Sequence, residues 1–107
     1  MLSINSSEVY KLAELVNYQS GAIVSKEIVA KPTGTMTVFA FDAGQGLSEH
    51  KAPFDAVVYV IDGQAEVFIA GEKQSVAQGE MIILPVDVVH SLKAEQRFKM
   101  ALIMIRS

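Results

Sequence analysis

The chain has 107 residues, with nine basic and twelve acidic side chains and a net charge of −3. This length fits one domain with one hydrophobic core, and the scattered lysines and arginines argue against nucleic acid or an anionic membrane as a partner. Because the chain has no cysteine, disulfides, thiolate metal sites and cysteine nucleophiles are excluded.

The amino-terminal residues are interpreted as a short arm. They lack the basic head and apolar segment of a secretory leader, so we expect a cytoplasmic protein. Apolar residues at helical spacing after a Ser-Ser cap predict up to three helical turns over Ser7 to Val16. We assign residues 1–21 to this arm and residues 22–107 to a β-barrel, together forming a single domain.

From Ala22 onward, apolar and β-branched runs are separated by turn residues. This alternation of apolar runs and turns predicts a small antiparallel barrel. The strands are expected at residues 22–30, 35–41, 56–61, 65–69, 73–76, 81–84, 90–94 and 98–105. Asp62-Gly63 is the strongest hairpin signal of the chain. The longest unbroken apolar runs are far too short to span a bilayer as helices.

Two predicted strand regions, 56–61 and 100–105, carry apolar side chains on both faces. A single barrel would leave one of these faces in water, and a twofold dimer is the commonest way to cover such a face. We therefore expect a homodimer. The alternative is that the amino-terminal arm covers one sheet within the same chain.

Two segments resemble the signature motifs of the cupin superfamily. Each motif keeps its first glycine and one histidine at the family's spacing, and the matching residues are Gly44, His50, Gly63, Gly79, Pro85 and His90. Asp87 stands where cupins have the second glycine of the second motif. The chain is thus similar to small single-domain cupins of the conserved-barrel type. The resemblance implies an all-β double-stranded β-helix, or jelly roll.

The resemblance also predicts a degenerate metal centre. Cupins usually hold a divalent metal with three histidines and a glutamate, and this chain has only two histidines. Alanine stands at the positions of the second histidine, the glutamate and the asparagine of the motifs: Ala52, Ala56 and Ala94. No resident cofactor is therefore expected, although a weakly bound divalent transition metal on His50, His90 and Asp55 or water stays open. The alternative role of Asp55 is to cap backbone amides of its loop.

The same substitutions predict a larger and more apolar pocket inside the barrel. His50 and His90 would be its polar contacts, able to donate, accept or exchange a proton. The predicted ligand-binding residues are His50, His90, Ala52, Ala56, Val58, Leu92 and Met100, with Val60 and Phe39 or Phe41 as further candidates.

Three functions remain open from the sequence. The favoured one is binding of an unidentified small molecule without a metal. The second is a metal-dependent enzyme of the dioxygenase or isomerase type that uses His50 and His90 at a reduced metal site. The third is a purely structural dimer whose pocket is filled by its own side chains.

Overall fold

The structure, a computed structural model, describes residues 4–106. Over this range eight strands follow a single 3-10 turn at Leu12–Glu14. The strands are β1 (Ile23–Lys31), β2 (Gly34–Phe41), β3 (Gly46–His50), β4 (Asp55–Ile69), β5 (Glu72–Ala77), β6 (Met81–Leu84), β7 (His90–Lys93) and β8 (Phe98–Ile105). The predicted all-β jelly-roll class is confirmed.

The long strand β4 belongs to two sheets. Its first part, residues 55–63, lies between β8 and β6 in sheet A, which has the order β1-β2-β8-β4-β6. Its second part, residues 64–69, lies between β5 and β7 in sheet B, and β3 follows β7 at the edge. The hydrophobic core lies between the two sheets, and its largest fully buried side chains include Phe41, Phe98 and Met100.

The predicted hairpin at Asp62-Gly63 is wrong, because β4 continues through both residues. The register with β8 shifts between Val60 and Asp62, and Gly63 has a φ of 74°. These features form a bulge, which bends the strand from sheet A into sheet B without reversing it. The reversal comes at Ala70 and Gly71, whose φ values of 51° and 82° suit a two-residue hairpin loop.

The helix predicted over Ser7 to Val16 is reduced to the 3-10 turn. A helix of ten residues is marginal in water, so contacts with the sheet decide the conformation of this segment. The Lys99 ammonium donates a hydrogen bond of 2.6 Å to the carbonyl of Ala13 in that turn. No helix within residues 4–106 is long and apolar enough to span a membrane.

The arm covers one end of the outer face of sheet A. Val16 is buried and packs in one cluster with Val38 and Ala40 of β2. Further along the arm, the hydroxyl of Tyr18 donates a hydrogen bond of 2.6 Å to the carboxylate of Asp62. At this end of sheet A, the apolar outer face is therefore covered by the arm of the same chain.

The outer face of sheet B is polar and centres on Glu66. Its carboxylate accepts hydrogen bonds from Ser75 at 2.6 Å and from Gln64 at 3.1 Å, and the Lys73 ammonium lies 3.5 Å away. The bond from Ser75 is the main cause that lowers the pKa of the Glu66 carboxyl below its ordinary value of 4.5, and burial opposes this effect.

This lowered pKa predicts a pH dependence of stability. The stabilisation from Glu66 is fully present above its unfolded pKa near 4.5 and is lost as the pH falls through the lower folded value. Between about pH 5 and about pH 3, the urea midpoint of the wild type should fall more steeply than that of Glu66→Gln or Ser75→Ala. Equal slopes for the wild type and both variants would contradict this assignment.

Candidate functional site

Two histidines meet at the rim of a cavity between the sheets. His50 ends β3, His90 begins β7, and the two residues are direct partners in the antiparallel ladder. Their Nε2 atoms lie 3.0 Å apart, and the ring planes are inclined at 71°. The pairing of β3 with β7 thus brings together the histidines of the two sequence motifs.

A backbone carbonyl two residues earlier orients each imidazole ring. Nδ1 of His50 donates to the carbonyl of Ser48 at 3.0 Å, and Nδ1 of His90 donates to that of Val88 at 3.2 Å. Because a carbonyl oxygen only accepts hydrogen bonds, each neutral ring carries its proton on Nδ1. Two unprotonated Nε2 atoms that face each other at 3.0 Å repel, so this contact is stabilised by a proton held between the two rings, by a donor group of a ligand or by a cation.

The two rings differ in environment. His90 is 4% exposed, whereas His50 is exposed at the mouth of the cavity. Burial is the main cause that lowers the pKa of His90 below 6.5; charge on His50 lowers it further, and the bond to the Val88 carbonyl acts in the opposite sense. His90 is therefore neutral near pH 7 and presents Nε2 as an acceptor.

The loop before His90 has a left-handed backbone conformation at the position where cupins have a glycine. Asp87, which stands where cupins have a glycine, has a φ of 57°, a conformation that aspartate tolerates better than most residues. Its backbone N–H donates a hydrogen bond of 2.8 Å to the carbonyl of Ala52. This bond ties the loop that leads into β7 to the segment that follows β3, so both histidine-bearing strands are held at the same rim.

Most of the predicted pocket residues line a single cavity beside this rim. They are His50, Ala52, Ala56, His90, Leu92 and Met100. Val58 is not among the residues that line the cavity, and it packs fully buried in the core cluster. Phe41 is also a core residue, with its ring stacked on that of Phe98 at a centroid distance of 4.5 Å. Val60 and Phe39 likewise pack in or against the core.

The cavity is narrower than the sequence predicts. Its volume is about 40 Å³, whereas small-ligand pockets usually enclose roughly 300–1,000 Å³. The lining also includes five side chains that the sequence-based prediction did not name: Leu47, Phe54, Leu84, Leu102 and Met104. Strand alternation was a usable signal for two of them, since Leu102 and Met104 share a face of β8 with Met100.

Asp55 does not join the histidines. It is the exposed first residue of β4, not part of a turn, and its neighbour Ala56 faces the cavity, so Asp55 is directed to the opposite side of the sheet. Within residues 4–106, no three His, Cys, Asp or Glu side chains are grouped to hold a metal ion. The histidine pair supplies two nitrogen ligands, and metal centres usually have at least three protein ligands, so these residues do not fit a tightly held metal.

Comparisons with known proteins agree with this architecture. A protein-family model of the cupin domain matches residues 37–106. A conserved protein of unknown function from Streptococcus pyogenes is 32% identical, with a TM-score of 0.91 and coverage of 100% of this chain and 96% of that chain. A cupin 2 conserved barrel domain protein from Leptotrichia buccalis is 45% identical, with a TM-score of 0.88 over 91% of this chain and 47% of that chain. This chain thus spans about half the length of the Leptotrichia protein.

A more distant likeness extends to an enzyme. Salicylate 1,2-dioxygenase from Pseudaminobacter salicylatoxidans is 22% identical, with a TM-score of 0.73 over 80% of this chain and 27% of that chain. At this identity the likeness shows a shared fold alone. A search of curated proteins gave no match. The family match over residues 37–106, which is more than half of the chain, shows that this protein belongs to the cupin family.

Proposed function

We propose that the protein binds a small molecule at the cavity mouth through His50 and His90. One observation carries this proposal: two converging Nε2 atoms, 3.0 Å apart, stand at the rim of a cavity whose other lining side chains are apolar. Small-ligand sites typically combine an apolar wall with a few polar groups that orient the ligand.

The size of the cavity restricts the part of the ligand that enters it. A volume of about 40 Å³ exceeds the roughly 30 Å³ share of one liquid water molecule only slightly, so it takes one or two carbon atoms. The rest of the ligand lies outside, beside the exposed His50. Met100 and Met104 line the cavity, and their flexible side chains allow modest widening. The proposed ligand is therefore a polar molecule with a short apolar end and a hydrogen-bond donor next to it.

A fragment screen tests this proposal while the ligand itself is unidentified. The probes are short alcohols and hydroxy acids, and the readout is the methyl resonances of the methionines in NMR spectra. Binding should shift the signals of Met100 and Met104, and His50→Ala should weaken the best probe about tenfold, because one hydrogen bond is lost. Glu49→Gln, a neighbouring exposed change on β3, is the matched control and should leave the affinity unchanged.

The second candidate, a metal-dependent enzyme, has support in the spacing of the two Nε2 atoms, which suits two ligands of one ion. Elemental analysis of protein purified without an affinity tag separates the two candidates. Near-stoichiometric metal that disappears in a His50→Ala, His90→Ala double variant would overturn the metal-free proposal. A protein with neither metal nor fragment binding would overturn both and favour a structural role.

A further inference from the structure

An arginine lies beside the mouth of the histidine cavity. The guanidinium carbon of Arg106 lies 5.0 Å from the centroid of the Phe54 ring. Phe54 in turn lines the cavity that His50 and His90 border. A guanidinium that packs over the face of an aromatic ring keeps its N–H donors directed outward, in the plane of the group. Because Arg106 is only partly buried, a ligand at the cavity mouth can reach these donors.

The pairing of β8 with β2 directs Arg106 toward the cavity. Its backbone N–H donates a hydrogen bond of 2.8 Å to the carbonyl of Thr33, which extends the pairing of the two strands by one residue. Alternation along the chain then places the side chain of Arg106 on the same face as those of Leu102 and Met104, which line the cavity. The cavity-facing row of β8 thus ends in a positive charge.

The charge of Arg106 has no protein counter-ion. Within residues 4–106, no carboxylate forms an ion pair with its guanidinium. Arg97, at the other end of β8, differs in this respect, because its Nε lies 3.0 Å from the Asp42 carboxylate. Asp55 pairs with the residue before Arg106, so its carboxylate is directed to the opposite face of the sheet. The unpaired charge at the cavity mouth therefore favours an anionic group of the ligand.

A buried hydroxyl without a partner lies next to this charge. Thr35 pairs directly with Met104, so both side chains lie on the inner face of sheet A, and Arg106 is the next residue of β8 on that face. The Oγ1 atom of Thr35 is buried and has no hydrogen-bond partner in the part of the chain that the structure describes. Such a group is costly to leave unpaired. A ligand oxygen that accepts a hydrogen bond from Thr35 would remove this cost.

We propose that Arg106 and Thr35 bind a carboxylate, which makes the ligand a short aliphatic hydroxy acid. This inference rests on the function proposed for the histidine pair. A carboxylate is planar and accepts two parallel hydrogen bonds from a guanidinium, and it can accept a further one from a hydroxyl. The hydroxyl of the acid donates to the Nε2 atoms of the histidines. Its short alkyl end enters the apolar cavity, and the carboxylate stays at the mouth.

Pairs of probes that differ only in charge test this inference. The probes are lactate and its next longer homologue, each compared with its primary amide, and the readout is the NMR shift of the Met100 and Met104 methyl groups. In the wild type, each acid should bind about tenfold more tightly than its amide, because a charge-assisted pair with Arg106 is stronger than a neutral hydrogen bond. Arg106→Gln should abolish this preference and leave the affinity for the amides unchanged.

Arg97→Gln is the matched control. The Arg97 guanidinium also lies 5.0 Å from the centroid of an aromatic ring, that of Tyr18, but at the opposite end of β8 from the cavity mouth. This variant should keep the full preference for the acids. His50→Ala should weaken acid and amide by the same factor, because it removes the contact with the hydroxyl that both probes share. Far-UV circular dichroism shows whether each variant remains folded.

Thr35→Val tests the second donor, because valine has nearly the same shape without the hydroxyl. It should weaken the acids about fivefold without lowering the urea midpoint, since the hydroxyl bonds to no other described residue. A lower midpoint with unchanged affinity would show that the hydroxyl is structural and would overturn its assignment to the ligand.

The remaining outcomes separate this inference from the function on which it rests. Equal affinities of the wild type for acid and amide would overturn the carboxylate and leave ligand binding by the histidines standing. A preference that persists in Arg106→Gln would overturn the assignment to Arg106, because another cation, such as the exposed Lys51 next to His50, would then supply it. If the wild type binds neither acid nor amide, both the inference and the proposed function are overturned.

Discussion

Gly63→Ala is expected to lower the free energy of unfolding by about 3 to 5 kcal/mol, the largest loss among the alanine substitutions of glycine in this chain. Two effects add at this position. Gly63 has a φ of 74°, a conformation that L side chains rarely adopt. In addition, an added Cβ atom would collide with the carbonyl oxygen of Arg97, a backbone atom that cannot rotate away. The collision would displace the start of β8 from the point where β4 changes sheets.

Gly79→Ala separates these two effects. Gly79 has a φ of 87°, but an added Cβ atom would meet nothing within 4 Å. Only the backbone penalty applies there, so the expected loss is about 1 kcal/mol. Urea unfolding of both variants measures the difference. Similar losses would show that the contact with Arg97 contributes nothing, and that the crossing of β4 between the sheets tolerates a side chain.

Phe98→Ala is expected to cost about 3 to 5 kcal/mol of stability. Phe98 is fully buried, and its ring stacks on Phe41 with an interplanar angle of 10°. Removing the ring takes away its apolar burial and leaves a cavity that the paired strands cannot close. A loss of this size approaches the whole stability of many domains of this length.

Phe68→Ala is the matched control for Phe98→Ala. Phe68 also lies in a strand, but it is half-buried on the outer face of sheet B, where its neighbours are polar and water reaches the site. Its removal should cost about 1 kcal/mol, measured in the same urea series. If both variants lost the same stability, the Phe41–Phe98 stack would not be the centre of the core.

The departures from the cupin motifs occur together at one place in the structure. Ala52 and Ala56 replace two of the family's usual metal ligands, and both line the cavity beside His50 and His90. Phe54 and Leu84 line the same cavity. The loss of ligands is thus accompanied by an apolar lining, which supports binding of a ligand by the imidazoles in the proposed function.

The strands and the pairing of the two histidines were largely predictable from the sequence. Apolar and β-branched runs mark the strands, because their side chains suit a pleated surface with one buried face. Gly44, Gly63 and Gly79, the glycines that match the cupin motifs, all have positive φ values. The cupin spacing placed His50 and His90 at one rim, where the structure brings them together.

Only the tertiary structure decided between alternatives with the same local signal. The residues Asp62-Gly63 suit a hairpin as well as a bulge. The bulge forms because β4 pairs with β8 before the bend and with β5 and β7 after it. The width of the cavity depends on the volumes of side chains from distant segments, among them Phe54 and Met104. The sequence by itself thus determined most of the strands and the position of the histidine pair, because the strands follow from local periodicity and the histidines from the resemblance to the cupin motifs. It did not predict β3 (Gly46–His50), and it divided β4 (Asp55–Ile69) into two strands. The path of β4 and the size of the cavity depend on contacts between segments far apart in the chain, and no local pattern encodes those contacts.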